Sequence, residues 1–300
     1  MTYEAFWQPL TIIYDAGEAK AVARLVAEVR CGLSLADLMV GKEMTGVEGI
    51  HQRLLSGEPV QYVLGQAEFY GRQFSVGPGV LIPRPETEEL CRWIIAGTKD
   101  KRNDGTWQIL DIGTGSGCIA CTLAAELPEA QVEAWDISDE ALHIARSNAE
   151  RLGVHVNFKK QDIINYPLEL ARFHRSTFGR LLPEGDKKAK RLKELSIVNY
   201  QLIISNPPYV CPNEAGDMKP WVLNHEPECA LFVPGDDPLL FYRHICNYAK
   251  ASLREGGQLY FEANPHYIKE LEELLHCSGF NSVQTKDDQF GKTRFISACK

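Results

Sequence analysis

The chain is 300 residues long, 44 % hydrophobic and 24 % charged, more than one compact domain usually holds and enough apolar material for a large core. Its 40 acidic residues against 32 basic ones, net −8, argue against a surface that grips nucleic-acid phosphate along its whole length. No apolar run reaches the roughly 18 residues of a membrane span, the opening Met1-Thr2-Tyr3-Glu4-Ala5-Phe6 lacks the basic-then-apolar order of a signal peptide, and nine scattered cysteines suit reduced thiols in a cytoplasm.

The first stretch carries helical patterning. Val22, Leu25, Val26 and Val29 recur at i, i+3, i+4 and i+7, the stripe of an amphipathic helix. Gly32 and Gly41 punctuate it, and Thr45 with Glu48 predicts a capping box ahead of Ile50 and Leu54. Residues 1–58 thus read as a small helical domain without a chemical constellation. The texture changes from Pro59 to Val80, where Tyr62-Val63-Leu64-Gly65, Phe69-Tyr70-Gly71 and Phe74-Ser75-Val76-Gly77 predict a strand pair with turns, a β-hairpin linker over 59–85. Pro83-Arg84-Pro85 cannot lie inside a helix, and Thr87 stands as the N-cap of a helix bearing Leu90, Trp93 and Ile94.

Residues 86–300 form the third unit. From Trp107 onward, short apolar strands (109–111, 132–136, 154–158, 202–204, 258–262 and 294–298) alternate with helical patterns over 119–127, 142–149, 236–253 and 267–275. Such alternation means βαβ units, an α/β fold with a parallel sheet covered on both faces. One stretch breaks the rhythm. Between Leu170 and Leu195, eight basic residues (Arg172, Arg175, Arg180, Lys187, Lys188, Lys190, Arg191, Lys193) face three acidic ones, and it reads as an insertion forming a solvated surface.

Chemistry concentrates at strand ends. Asp111-Ile112-Gly113-Thr114-Gly115-Ser116-Gly117 closes the first sheet strand and opens a helix, so Gly113, Gly115 and Gly117 let backbone approach a ligand while the helix N-terminus favours a negative group. The spacing G-x-G-x-G departs from the G-x-G-x-x-G of dinucleotide sites. Asp136 ends the second strand, where a carboxylate accepts hydrogen bonds from both hydroxyls of a ribose. Gln161-Asp162-Ile163 follows the third strand, placing Asp162 for an adenine amino group and Ile163 for the base face. Most specific is Asn206-Pro207-Pro208-Tyr209 after Leu202-Ile203-Ile204-Ser205. Two prolines remove two donors and hold the chain extended with free carbonyls. A planar NH2 group can then donate one hydrogen to the Asn206 side-chain oxygen and one to the Pro207 carbonyl, with the Tyr209 ring as a flat apolar wall. Cys118-x-x-Cys121 has no second pair for zinc and reads as helix packing.

Together these residues resemble class I methyltransferases that methylate amide or exocyclic NH2 nitrogens. Glu58-Pro59-Val60-Gln61-Tyr62-Val63-Leu64-Gly65, Glu68-Phe69-Tyr70-Gly71, Val80-Leu81-Ile82-Pro83-Arg84-Pro85-Glu86-Thr87-Glu88, Glu226-Pro227 with Ala230-Leu231, and Gly256-Gly257 are similar to the signature of the release-factor glutamine methyltransferases (the HemK/PrmC family). The resemblance spans almost the whole chain; the basic 170–195 stretch departs from it. It implies a Rossmann-like, mostly parallel seven-stranded sheet and S-adenosylmethionine as cofactor, with S-adenosylhomocysteine released and no metal. Gly113, Thr114, Gly115, Ser116, Gly117, Asp136, Asp162, Ile163 and Asn206 would bind the cofactor. Asn206, Pro207, Pro208 and Tyr209 would be catalytic, and Phe69, Thr87 and Glu88 would close over the cofactor. The implied substrate is the glutamine of the Gly-Gly-Gln motif in peptide chain release factors, methylated at N5 by a cytoplasmic monomer without stable DNA binding. Rival readings are a ribosomal-protein glutamine methyltransferase, a DNA adenine methyltransferase, which would need a basic channel for a flipped base, and a non-reacting module that docks translation factors.

Overall fold

The computed structural model describes residues 1–99, 107–167 and 199–300; the basic 170–195 stretch lies outside them. The chain begins with helices α1 (Tyr3–Leu10), α2 (Ala16–Cys31), α3 (Leu35–Met39) and α4 (Glu48–Leu55). Asp15 starts α2 by accepting the Glu18 amide (2.9 Å), and Gly32, in the left-handed region, stops it. The buried face of α2 is Ala19, Val22, Ala23, Val26 and Ala27, packed on Phe6, Leu10, Met44 and Leu54; Leu25 lies off that stripe at 37 % exposure. The alanines on this face let α1 approach closely. The capping box forms between Ser34 and Asp37. Thr45 makes none, because α4 starts after Val47 and has no side-chain cap.

Val60–Leu64 is a helix, α5, where the β-rich sequence predicts a strand. Packing overrides propensity here: Val60 and Val63 bury into the helical cluster while Tyr62 turns the other way, its hydroxyl donating to the Val80 carbonyl. Strands β1 (Gln66–Phe69) and β2 (Arg72–Ser75) then form the antiparallel hairpin. Phe69 and Phe74 meet edge to face at 5.9 Å and join the core of the following unit.

Helix α6 (Pro85–Lys99) leads into the sheet strands β3 (Gln108–Ile112), β4 (Gln131–Asp136), β5 (Val156–Lys160), β6 (Tyr200–Ser205), β7 (Leu253–Glu262), β8 (Asn281–Asp287) and β9 (Thr293–Cys299). Their order is β5-β4-β3-β6-β7-β9-β8; the first five are parallel, and β9 runs antiparallel to both β7 and β8. The seven-stranded, mostly parallel sheet is as expected, although β8, an edge strand of largely exposed polar residues, carries no apolar alternation to announce it. Central strands alternate between two buried faces: Ile109, Leu202 and Ile204 face one cluster, Leu110 and Ile203 the other. Helices α7 (Cys118–Glu126) and α8 (Asp139–Leu152) follow β3 and β4. Four further helices, α9 (Pro220–His225), α10 (Glu228–Leu231), α11 (Leu240–Ser252) and α12 (Ile268–Cys277), lie between β6 and β8. Among the described residues, no helix is long and apolar enough to cross a membrane.

Candidate active site

The carboxyl ends of β3, β4, β6 and β7 lie side by side, with Ile112 paired to both Trp135 and Ser205, and Ser205 to Phe261. The strand order departs in both directions from β3, so a crevice opens at this edge. The glycine loop, Asp136, Asp162-Ile163 and Asn206-Pro207-Pro208-Tyr209 each stand at the end of one of these strands or of β5.

The glycine loop after β3 turns through positive φ at Gly113, Gly115 and Gly117. The Gly113 and Thr114 amides both donate to the Trp135 carbonyl (2.9 Å each), fastening the loop to β4. A β-carbon at Gly117 would sit 3.0 Å from that of Ala145, whereas Gly113 and Gly115 face open space. Asp136 closes the turn: its Oδ2 accepts the Gly115 amide (2.8 Å) and its Oδ1 the Ser138 amide (2.9 Å). Ser116 and Thr114 are buried, and the Ser116 carbonyl accepts Asn148 Nδ2 (2.9 Å). Asn148 also exchanges two bonds with the Ser75 backbone, tying the hairpin to the glycine loop.

Asp111 is fully buried beneath this loop. Its Oδ2 accepts the Thr114 hydroxyl (2.7 Å), while Oδ1 has no hydrogen-bond partner among the described residues. Burial pushes its carboxyl up to about 7, against the Thr114 bond and with help from the Asp136 charge. After β5, Asp162 holds an Asx turn, accepting from the Ile164 amide (2.8 Å) and Asn165 Nδ2 (2.7 Å). Ile163 is nearly buried, in the cluster with Leu110, Ile112 and Trp135.

At the end of β6, Ser205 donates to the Ile112 carbonyl (2.6 Å). Asn206 is half-buried and directs Nδ2 at the Thr87 hydroxyl (3.3 Å). Pro207 is buried; Pro208 and Tyr209 are half-buried, with Tyr209 against the cluster containing Tyr242 and Phe261. Burial, and then Glu262, push the Tyr209 phenol up to about 12. Val210 pairs with Phe232, anchoring the segment's far end. Among the described residues, no group donates to Asn206 Oδ1 or to the Pro207 carbonyl.

Thr87 is not an N-cap: α6 starts two residues earlier, at Pro85, which is preorganised for a first helical position. Its hydroxyl instead donates to buried Glu262 at the end of β7 (2.7 Å). Phe69 is 1 % exposed in the core, and Glu88 accepts the Tyr70 amide (3.0 Å) and pairs with Arg92, so both pin the hairpin to α6. Asp111, quoted in the sequence with the glycine loop but given no role, and Glu262, not singled out at all, join the candidate site. An acidic residue ending a parallel strand, the same signal that picked out Asp136, points to Glu262. Cys118 and Cys121 are buried free thiols raised to about 12 by burial, as helix packing requires.

Residues 109–195 match the model of a methyltransferase domain family. Proteins named release factor glutamine methyltransferase from Bacteroides thetaiotaomicron and Bacillus subtilis are 41 % and 34 % identical to this chain. The alignments cover 97 % and 99 % of the chain and 96 % of each relative. The chain belongs to the release factor glutamine methyltransferase family. The sequence resemblance therefore holds, and the protein is a methyltransferase. The hMettl16 catalytic domain, solved in complex with the MAT2A 3'UTR hairpin 6, shares the fold at a TM-score of 0.53 and 18 % identity, over 87 % of this chain and 85 % of that one.

Proposed function

We propose that this methyltransferase moves a methyl group from S-adenosylmethionine to the side-chain amide nitrogen of the glutamine in the Gly-Gly-Gln motif of peptide chain release factors. The observation that carries the proposal is the pair of unclaimed acceptors, Asn206 Oδ1 and the Pro207 carbonyl, beside the glycine loop. A primary amide presents two N–H donors in one plane, which is what two adjacent acceptors take up. The relatives' names point to the same substrate.

The residues present fit the cofactor. The loop at Gly113 and Gly115 has room on its open side, Asp136 stands at the strand end where ribose hydroxyls donate, and Asp111 Oδ1 is a buried acceptor free to meet an ammonium group. S-adenosylmethionine supplies an electrophilic methyl on its sulfonium. Thr114, Ser116 and Gly117 shape the loop, and we assign Asp162 to the adenine amino group and Ile163, at the margin of the core, to the base face. An amide nitrogen is a weak nucleophile because its lone pair is delocalised, so the chain's task is to orient and desolvate it. Asn206 and the Pro207 carbonyl take the two amide hydrogens, Pro208 holds the segment extended, and Tyr209 covers the amide and excludes water. The nitrogen becomes acidic as it is alkylated, and its proton leaves late to water without a strong base.

We assign residues 1–58 to docking the protein substrate, 59–85 to the linker and 86–300 to catalysis. In support of this division, a cleft is lined by Tyr14, Glu18 and Leu25 from the helices and by Arg84 and Trp221 from the later unit. All nine cysteines are free, which suits a protein working in a reducing cytoplasm. The test is tritiated S-adenosylmethionine incubated with release factor, ribosomal protein, DNA or no acceptor. Label on the Gly-Gly-Gln glutamine is expected; label only on ribosomal protein or only on DNA would replace this reading.

A further inference from the structure

Asn206 is useful only in one orientation. Its side-chain amide has an acceptor end and a donor end, and a substrate NH2 requires the acceptor. Nothing in the residue itself selects between the two, since a half-turn about χ2 exchanges them. The selection comes from two residues distant in sequence. Glu262, 2 % exposed, ends β7 and accepts the Thr87 hydroxyl proton at 2.7 Å. A hydroxyl has one proton, so Thr87 Oγ1 offers Asn206 only lone pairs, and Nδ2 turns to it at 3.3 Å. Oδ1 is left for the crevice.

We propose that Thr87 and Glu262 are positioning residues that set the polarity of Asn206, so that its oxygen and not its NH2 meets the substrate nitrogen. This rests on the proposed amide-methylation reading. The relay is one-directional only while Glu262 is an obligate acceptor. Protonated Glu262 donates to Thr87, the Thr87 proton passes to face Asn206, and the amide turns its NH2 toward the substrate NH2, a donor facing a donor. Burial holds the Glu262 carboxyl near 7, so the reversal falls within the working range. The ionisable groups facing Glu262 are Arg84 and Glu86 at the start of α6, Cys91 and Cys118 beneath it, Arg294 on β9, Tyr209 after β6 and Tyr242 on α11. Arg294 is paired with buried Asp288 (3.1 Å), so its charge is held in place.

The experiment compares wild type, Thr87→Val, Thr87→Ser, Glu262→Gln and Asn206→Ala on a Gly-Gly-Gln peptide, with cofactor affinity measured by calorimetry. Thr87→Val is expected to lower kcat by roughly ten- to a hundredfold, with peptide KM and cofactor affinity unchanged, and Thr87→Ser to restore most of it. Added to Asn206→Ala, Thr87→Val should cost little more, because the group it orients is gone. The acid limb of kcat near pH 7 should vanish in Glu262→Gln. A wild-type kcat in Thr87→Val, or losses that multiply in the double variant, would overturn the proposal. Hydrogen exchange of the Asn206 side-chain NH2, followed by NMR without substrate, separates this from a wrong substrate assignment. Exchange should quicken in Thr87→Val but not in Thr87→Ser, and equal rates in Thr87→Val and wild type refute the relay whichever acceptor is methylated.

Discussion

Arg84 and Glu226 lie 142 positions apart, yet they form an ion pair whose carboxylate is 1 % exposed. The second Glu226 oxygen accepts the Ile82 amide (3.1 Å), so one buried residue holds both a side chain and the backbone of the segment entering α6. Two stretches that look like separate family signatures, Pro83-Arg84-Pro85 and Glu226-Pro227, are one junction.

Removing Arg84 strands that carboxylate. Arg84→Ala should destabilise the protein by about 2–3 kcal/mol, below the full cost of breaking a buried pair because the Arg84 side chain is a third exposed. Urea denaturation measures it, and an unchanged midpoint would mean that Glu226 finds another partner.

Asn148 is fully buried and bonded to Ser75 and Ser116. Asn148→Ala leaves three backbone groups without their partner, for a loss of about 2–4 kcal/mol. It should also weaken cofactor binding through the loosened glycine loop. A variant with normal stability in thermal melts would contradict the clamp.

Asp136→Ala removes the acceptor for Gly115 as well as the proposed ribose partner, whereas Asp136→Asn retains an oxygen for the loop. Both should bind cofactor at least about tenfold more weakly, near 1.4 kcal/mol, with Ala the worse. Calorimetry showing wild-type affinity in both would remove the ribose assignment.

Asn206→Ala should raise the barrier by roughly 2–4 kcal/mol and reduce turnover far more than cofactor binding. Single-turnover methylation at the wild-type rate would contradict the role given to this residue.

Stability should depend on pH through Asp111 and Glu262. Both are raised by burial from ordinary values of 3.8 and 4.5 to about 7. Below the ordinary values each is protonated in both states and its contribution is complete. As pH rises, the unfolded chain releases these protons while the fold retains them, and stability is lost until the folded values are passed. Glu262→Gln keeps a neutral group throughout, so its Tm relative to wild type should climb between about pH 4 and about pH 8. A flat difference would show that Glu262 ionises normally.

Local rules made much of this molecule legible in advance. A parallel strand buried on both faces needs a short continuous apolar run, as at Gln108–Ile112 and Tyr200–Ser205. A tight turn through positive φ selects glycine, and Asn-Pro-Pro-Tyr restricts its own backbone, so Gly113 to Gly117, Asp136 and Asn206 to Tyr209 stand out in one dimension. What needed the tertiary structure is whatever depends on partners far away in sequence. Val60–Leu64 is helical because a bundle receives Val60 and Val63; Ile163 is drawn into the core; β8 exists because β9 offers it an edge. Thr87 reads as a cap until β7 brings Glu262 to its hydroxyl. The sequence by itself singled out Asn206 and the glycine loop as candidates; the fold decided which way Asn206 faces, because a hydrogen bond's direction is set by both of its ends.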